Sequence, residues 1–156
     1  MAGAAACASL GGVRPRFTPL PGSVRAESRY PADVTIGRLD SALRERGLTV
    51  AAMSAVEGYL ETTWFDANTR RVGEGPLGRY TTVVRIRFWA DPEMGRTRLL
   101  AECVRRIAYD PSLPERDLER MVPEGHPGRL LLDSLVALVA PPPDTTALRR
   151  GAGPPR

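Results

Sequence analysis

The chain contains no lysine, and all 22 of its basic residues are arginine. This absence excludes a Schiff-base lysine, a phosphate-loop lysine and a lysine general base. Histidine and cysteine are nearly as scarce, with His126 as the single histidine and Cys7 and Cys103 as the two cysteines. These three residues fit no zinc-site spacing, and no Gly-x-Ser-x-Gly motif marks an activated serine. We therefore predict a protein that is not an enzyme, with no catalytic residues, no metal and no cofactor.

The sequence also lacks a long hydrophobic run. No segment approaches the roughly 18 consecutive apolar residues that a membrane-spanning helix needs. Hydrophobic residues make up 42% of the chain and charged residues 26%, as in ordinary globular proteins. A length of 156 residues suits one domain of common size.

Positive charge is concentrated at the two ends of the chain. The formal net charge is +4, yet residues 31–140 hold 15 Arg against 16 Asp and Glu. A protein that binds duplex nucleic acid would carry its basic patch on the folded domain, positioned against phosphates. We therefore expect no nucleic-acid partner. Basic ends on a nearly neutral body fit either weak attraction to an anionic membrane surface or solvated tails.

Proline and glycine mark the borders of the domain. Residues 11–30 include Pro15, Pro19 and Pro21 and show no apolar periodicity, which predicts an extended, disordered linker. At the other end, three consecutive prolines from residue 141 stop the preceding element. The predicted organisation is a lipobox-like segment and linker over 1–30, a single α+β domain over 31–140, and a disordered tail over 141–156.

Cys7 lies in the run Ala4-Ala5-Ala6-Cys7-Ala8-Ser9, the local pattern at which bacterial lipoproteins are cut and lipidated. This pattern predicts a lipid on Cys7 and attachment to a membrane. A secretory leader needs a positive start and an apolar stretch of roughly 7 to 15 residues, whereas only Met1 to Ala6 precede the cysteine. Two explanations stay open: a start codon farther upstream, or a cysteine that falls by chance in an alanine-rich tail of a cytoplasmic protein.

Hydrophobic periodicity between the two ends predicts two helices and four strands. The first helix covers Pro31 to Arg46, and Gly47 follows where a left-handed cap is wanted. The second helix covers Arg129 to Ala140 and carries an apolar stripe that must pack on a sheet. The predicted fold class is an α+β two-layer sandwich: a four-stranded antiparallel sheet with two helices on one face, in the order α-β-β-β-β-α. The four strands are predicted near Leu48–Val50 and at Tyr59–Asp66, Tyr80–Ala90 and Arg96–Tyr109.

The last two strands form a hairpin whose pairing follows from their alternating side chains. Matching apolar residues across the hairpin predicts Phe88 opposite Leu99. Arg85 and Glu102 are then expected to face solvent. The predicted core face consists of Val84, Ile86, Phe88, Leu99, Ala101 and Cys103.

A family resemblance rests on Cys7, the proline-bearing segment after it, the predicted helix, Gly47-Leu48-Thr49-Val50 and the strand from Gly58 to Phe65. Together these features resemble small bacterial envelope lipoproteins. The layout is remotely similar to the helix-grip domains of BamC-type lipoproteins of outer-membrane assembly, although no diagnostic motif is shared. The resemblance implies a non-enzymatic, lipid-anchored scaffold or interaction module of the cell envelope. It would face the periplasm, with another envelope protein as a candidate partner.

Two binding hypotheses follow from the predicted sheet. Aromatic and arginine side chains gather on its outer face if Leu60, Thr62 and Trp64 point inward, and this composition is favoured at protein interfaces. The opposite strand parity would instead bury Tyr59 and Phe65. The alternative function is a soluble helix-grip protein that binds a small apolar ligand between the sheet and the C-terminal helix, against Leu135, Ile86 and Phe88. The predicted interaction surface consists of Tyr59, Phe65, Arg85, Arg87, Trp89 and Arg106.

Overall fold

The computed structural model describes residues 12–73 and 82–142. Cys7, the start of the third predicted strand at Tyr80, and residues 143–156 of the predicted tail lie outside the described residues.

The described residues form an α+β fold of two α-helices and seven strands. The helices are α1, Ala32–Glu45, and α2, Pro127–Val139, and a short 3-10 helix spans Glu115–Leu118. The order along the chain is β1-α1-β2-β3-β4-β5-β6-β7-α2. The strands are β1 Val24–Ser28, β2 Val50–Ser54, β3 Tyr59–Thr62, β4 Phe65–Asp66, β5 Val83–Glu93, β6 Arg96–Arg106 and β7 Glu119–Met121.

All strand pairs are antiparallel, and the sheet runs in the order β1-β6-β5-β3-β2. In addition, β4 pairs with β5 and β7 pairs with β6. The predicted class, α+β with two helices and an antiparallel sheet, is therefore confirmed, whereas the predicted number of four strands is wrong. The predicted strand Tyr59–Asp66 is broken at Thr63 and Trp64 into β3 and β4.

The segment predicted to be a linker contributes an edge strand to the sheet. β1 pairs with β6 from Val24 opposite Ala101 to Ser28 opposite Thr97. Without β1, this edge of β6 would expose a row of unpaired backbone groups. The prediction of an extended linker up to Tyr30 is thus incorrect, because the backbone of β6 supplies the partners that the local sequence does not reveal.

The β5–β6 hairpin turns through two residues, Met94 and Gly95, and Glu93 pairs with Arg96. Phe88 therefore lies opposite Ala101, and the predicted pairing with Leu99 is wrong by two residues. Both turn residues have positive φ, 45° at Met94 and 81° at Gly95, as a type I′ turn requires. A shift of two residues leaves every side chain on its predicted face, so the core face itself is correct.

The core lies between the helices and the inner face of the sheet. Both predicted helices are present, and Gly47 adopts the left-handed conformation after α1, with φ 75°. α1 contributes Ile36, Leu39 and Leu43 to the same buried cluster that receives α2. The cluster also contains Val84, Ile86, Phe88, Leu99, Ala101, Cys103, Leu131, Leu132, Leu135 and Val139.

Candidate functional site

Residues 14–20, which we call the N-terminal strap, lie across part of the outer face of the sheet. At its start, the backbone N–H of Arg14 donates to Glu57 Oε2 at 3.0 Å, and the Arg14 guanidinium lies 2.7 Å from Asp91 Oδ1. At its end, the N–H of Leu20 donates to Glu102 Oε1 at 2.9 Å. Phe17 packs edge-on against Trp89, with ring centroids 6.5 Å apart. The strap therefore makes polar contacts at both ends and an aromatic contact between them.

Beneath the strap lies a group of buried and half-buried charges, which we call the ion-pair cluster. It consists of the buried Arg87, Glu102 and Glu119 and the half-buried Glu61 and Arg116. Arg87 contacts Glu119 with both terminal nitrogens, at 2.6 and 2.8 Å, and also donates to Glu61. Arg116 contacts Glu102 in the same two-pronged way, at 2.6 and 2.9 Å. Such paired contacts combine charge with fixed geometry, and they neutralise charges that burial would otherwise make costly.

The same contacts shift the pKa values of Glu102 and Arg87. Burial alone would raise the pKa of Glu102, but hydrogen bonds from Arg116, the Leu20 N–H and Ser23 outweigh it and lower the pKa. Burial likewise would lower the pKa of Arg87, yet its bonds to Glu119 and Glu61 raise it. Glu102 is thus held as a carboxylate and Arg87 as a cation. The prediction that Glu102 faces solvent is wrong, since its exposed fraction is 0%.

Aromatic rings fill the space beside the ion-pair cluster. Tyr59 lies on the outer face with its ring centroid 5.5 Å from that of Trp89, and its hydroxyl donates to Glu61 at 2.8 Å. Burial, followed by the negative charge of Glu61, raises the pKa of Tyr59. The cations of Arg87 and Arg116 lie 5.2 and 4.8 Å from the Phe17 ring centroid. This part of the outer face is therefore a second, mixed core closed by the strap.

Most of the predicted interaction surface is buried. Tyr59, Arg87 and Trp89 lie under the strap, with exposed fractions of 1%, 2% and 5%. Phe65 is 1% exposed and belongs to the inner core, because the break at Thr63–Trp64 changes the parity of the strand. Those four residues cannot form the exposed aromatic surface that the sequence predicted. Strand alternation reveals the face of a residue but not a distant segment that covers it.

The remaining two predicted residues flank Trp64, an aromatic side chain for which the sequence left both strand parities open. Arg85 and Arg106 lie 4.5 and 4.6 Å from the ring centroid of Trp64, which is half-buried. The indole N–H donates to Glu115 at 3.2 Å, and Glu115 also pairs with Arg106. We call Trp64, Arg85 and Arg106 the tryptophan patch. The sequence predicts this patch only weakly, because the outward position of Trp64 depends on the strand break at Thr63–Trp64.

His126 and Cys103 have structural positions. His126 is the N-cap of α2, where its Nδ1 accepts a hydrogen bond from the Gly128 N–H at 3.0 Å. Cys103 is fully buried, and burial raises the pKa of its thiol. Over residues 12–73 and 82–142, no three His, Cys, Asp or Glu side chains are grouped as a metal ion would require.

The space suggested for an apolar ligand is filled by side chains. Leu135, Ile86 and Phe88 each have an exposed fraction of 0%. Where α2 crosses β6, a Cβ added to Gly128 would lie 2.8 Å from Cys103 Sγ. A ligand between the sheet and α2 would therefore have to displace packed core residues.

None of the helices in the described ranges is both long enough and apolar enough to cross a membrane. No protein-family model matches the sequence, and no similar curated protein was found.

Proposed function

We propose that the chain is a non-enzymatic, lipid-anchored protein of the cell envelope, with its lipid on Cys7 and its domain facing the periplasm. The observation that carries this proposal is the lipobox-like run Ala4-Ala5-Ala6-Cys7-Ala8-Ser9, and the docking of the strap limits the length of chain between Cys7 and the domain. The chain joins the domain at Arg14, which contacts Glu57 and Asp91, only seven residues after Cys7. Seven residues span at most about 25 Å, so a lipid on Cys7 would hold the domain close to the membrane.

A scaffold role is supported by the ion pairs that the glutamates of the ion-pair cluster form. Within the ion-pair cluster, Glu61, Glu102 and Glu119 are each paired with arginine. A carboxylate held this way serves packing and attachment of the strap, whereas acid-base chemistry needs a group within reach of a substrate proton. We therefore assign these charges to stability.

We also propose that the domain is helix-grip-like. A helix-grip-like domain has its C-terminal helix lying across the sheet, and α2 packs on β6 within the core shared with α1. β1, β4 and β7 are then additions to the helix-grip arrangement.

A partner protein of the envelope would bind at the tryptophan patch. Trp and Arg are enriched among the residues that dominate binding energy at protein interfaces. Trp64 is half-buried beside Arg106, whose side chain is 35% exposed. Arg85 and Arg106 would contact the partner together with Trp64, whereas Arg87 is buried.

The lipid on Cys7 can be tested directly by mass spectrometry. The full gene with its natural upstream DNA would be expressed in a bacterial host that processes lipoproteins. We expect the mature chain to begin at Cys7 and to carry diacylglycerol, and Cys7→Ser to abolish both the lipid and membrane attachment. An unmodified Cys7 that follows an intact Met1–Ala6 segment would overturn the proposal.

A further inference from the structure

We propose that one end of the domain, formed by the turns around Val56 and Met94, inserts into the headgroup region of the bilayer. We call this end the tip surface. Val56 lies in the β2–β3 turn and Met94 in the β5–β6 turn, and both border one groove of about 870 Å³. This inference rests on the proposed function, because the bilayer concerned is the one that carries the Cys7 lipid.

The tip surface exposes apolar side chains almost completely. The exposed fractions are 97% for Val56 and 102% for Met94. Singly exposed apolar residues are common on proteins, but two fully exposed ones on neighbouring turns make a projecting apolar edge. Such an edge gains free energy when it leaves water for the acyl boundary of a membrane.

Met94 also stands where the backbone disfavours it. With φ 45°, it occupies the first central position of a two-residue hairpin turn, which favours Asn, Asp or Gly. A long apolar side chain at this position is therefore neither buried nor favoured by the backbone conformation. Departures from local preference of this kind are expected at functional sites.

The anchor reaches the domain at this same end. Arg14 lines the groove together with Val56 and Met94, and it hydrogen-bonds Glu57, the neighbour of Val56. Cys7 lies seven residues before Arg14, within about 25 Å along the chain. A lipid on Cys7 would therefore draw the tip surface, rather than the opposite end of the sheet, toward the bilayer.

Positive and negative side chains at the groove are equal in number, which argues against an electrostatic contact with anionic lipid. The charged lining of the groove consists of Arg14, Arg29, Arg96, Asp33, Glu57 and Glu93, three of each sign. Arg96 is paired with Glu27 at 3.0 Å and Arg14 with Asp91 at 2.7 Å. Membrane contact here is thus driven by apolar insertion, and anionic lipid should not be required.

The test uses an environment-sensitive fluorophore on the lipidated full chain. Met94→Cys would carry the probe, because Cys103 is fully buried and the Cys7 thiol is occupied by lipid. The matched control is Val72→Cys, an exposed position bridged to Phe65 and so near the start of β5, at the opposite end of the sheet from Met94. The protein would be reconstituted in vesicles of phosphatidylcholine, with or without phosphatidylglycerol.

We expect the probe at Met94→Cys to shift to shorter wavelength and to be quenched by spin-labelled lipid, in both vesicle types. The probe at Val72→Cys should stay in water, and adding Val56→Ser to Met94→Cys should reduce the shift. Equal, aqueous signals at both positions would overturn the inference, as would membrane contact by Val72→Cys alone.

A surrogate anchor separates this inference from the proposed lipidation. In a Cys7→Ser chain, a polyhistidine tag joined before residue 7 would hold the protein on vesicles that contain nickel-chelating lipid. A membrane signal at Met94→Cys in this chain supports the tip contact even if mass spectrometry finds no lipid on Cys7. If the probe in the surrogate-anchored chain reports water while mass spectrometry finds lipid on Cys7, the tip contact is refuted and the proposed lipid anchor is retained.

Discussion

At the scale of single residues, Glu102 holds the end of the strap against the sheet. A carboxylate with no exposed surface is costly unless its oxygens are satisfied. Glu102 accepts from Arg116 through both oxygens and from the Leu20 N–H and the Ser23 hydroxyl at 2.9 Å each. Its partners come from two distant parts of the chain, Leu20 with Ser23 and Arg116, so one side chain on β6 joins the strap to the 3-10 helix.

Replacing Glu102 with Gln should lower the free energy of unfolding at neutral pH by about 2 kcal/mol, because the half-buried Arg116 keeps only Glu119 as a carboxylate partner. The folded pKa of Glu102 is lowered, so its contribution is present at neutral pH and is lost as pH falls through that folded value. Urea unfolding between neutral and acidic pH should show a shallower acid loss for Glu102→Gln than for the natural chain. Equal acid slopes would contradict this assignment.

Glu115→Gln is the matched control for that measurement. Glu115 also has a lowered pKa and pairs with Arg106, but its side chain is 43% exposed. Water screens an exposed pair, so the expected loss is about 0.5 kcal/mol. The difference between the two variants measures what burial adds to an ion pair.

At the scale of elements, periodicity located the helices and the β5–β6 hairpin but not β1. α1 and α2 have apolar stripes long enough to predict a buried face, and the core face of β5 follows from strict alternation. β1 is five residues long, follows Pro19, Pro21 and Gly22, and is held by the edge of β6. The strap has no periodicity at all, because its contacts are hydrogen bonds and a single ring. The predicted exposure of candidate site residues was therefore wrong where a distant segment covers them.

Truncation should show that the strap is part of the domain. We compare a chain that begins at residue 12 with one that begins at residue 21, so that only the strap and its two preceding residues differ. Loss of the strap removes the Leu20 bond to Glu102 and uncovers Trp89, so the midpoint of thermal unfolding should fall and the tryptophan emission should move to longer wavelength. If the two chains unfold together with the same emission, the strap contributes nothing to the fold.

At the scale of the whole molecule, the strap sets the distance between the proposed anchor and the domain. A free linker from Cys7 to Tyr30 would let the domain tumble far from the membrane. When the chain is docked at Arg14, only seven residues separate the domain from Cys7. They start from the end of the domain that bears Val56 and Met94. Two weakly apolar turns can then contact a bilayer, because the anchor raises their effective concentration at its surface.

Lengthening the anchor should therefore abolish the tip contact without releasing the protein. A flexible Gly/Ser insertion of about 20 residues after Gly11 adds about 25 Å of mean reach, which lowers the effective concentration of the tip surface at the membrane. The lipidated chain should stay on vesicles and unfold at an unchanged temperature, while the probe at Met94→Cys moves toward its aqueous spectrum. The same insertion after Pro142 is the control and should leave the probe unchanged. A probe signal that is indifferent to both insertions would show that the short anchor does not hold the tip at the bilayer.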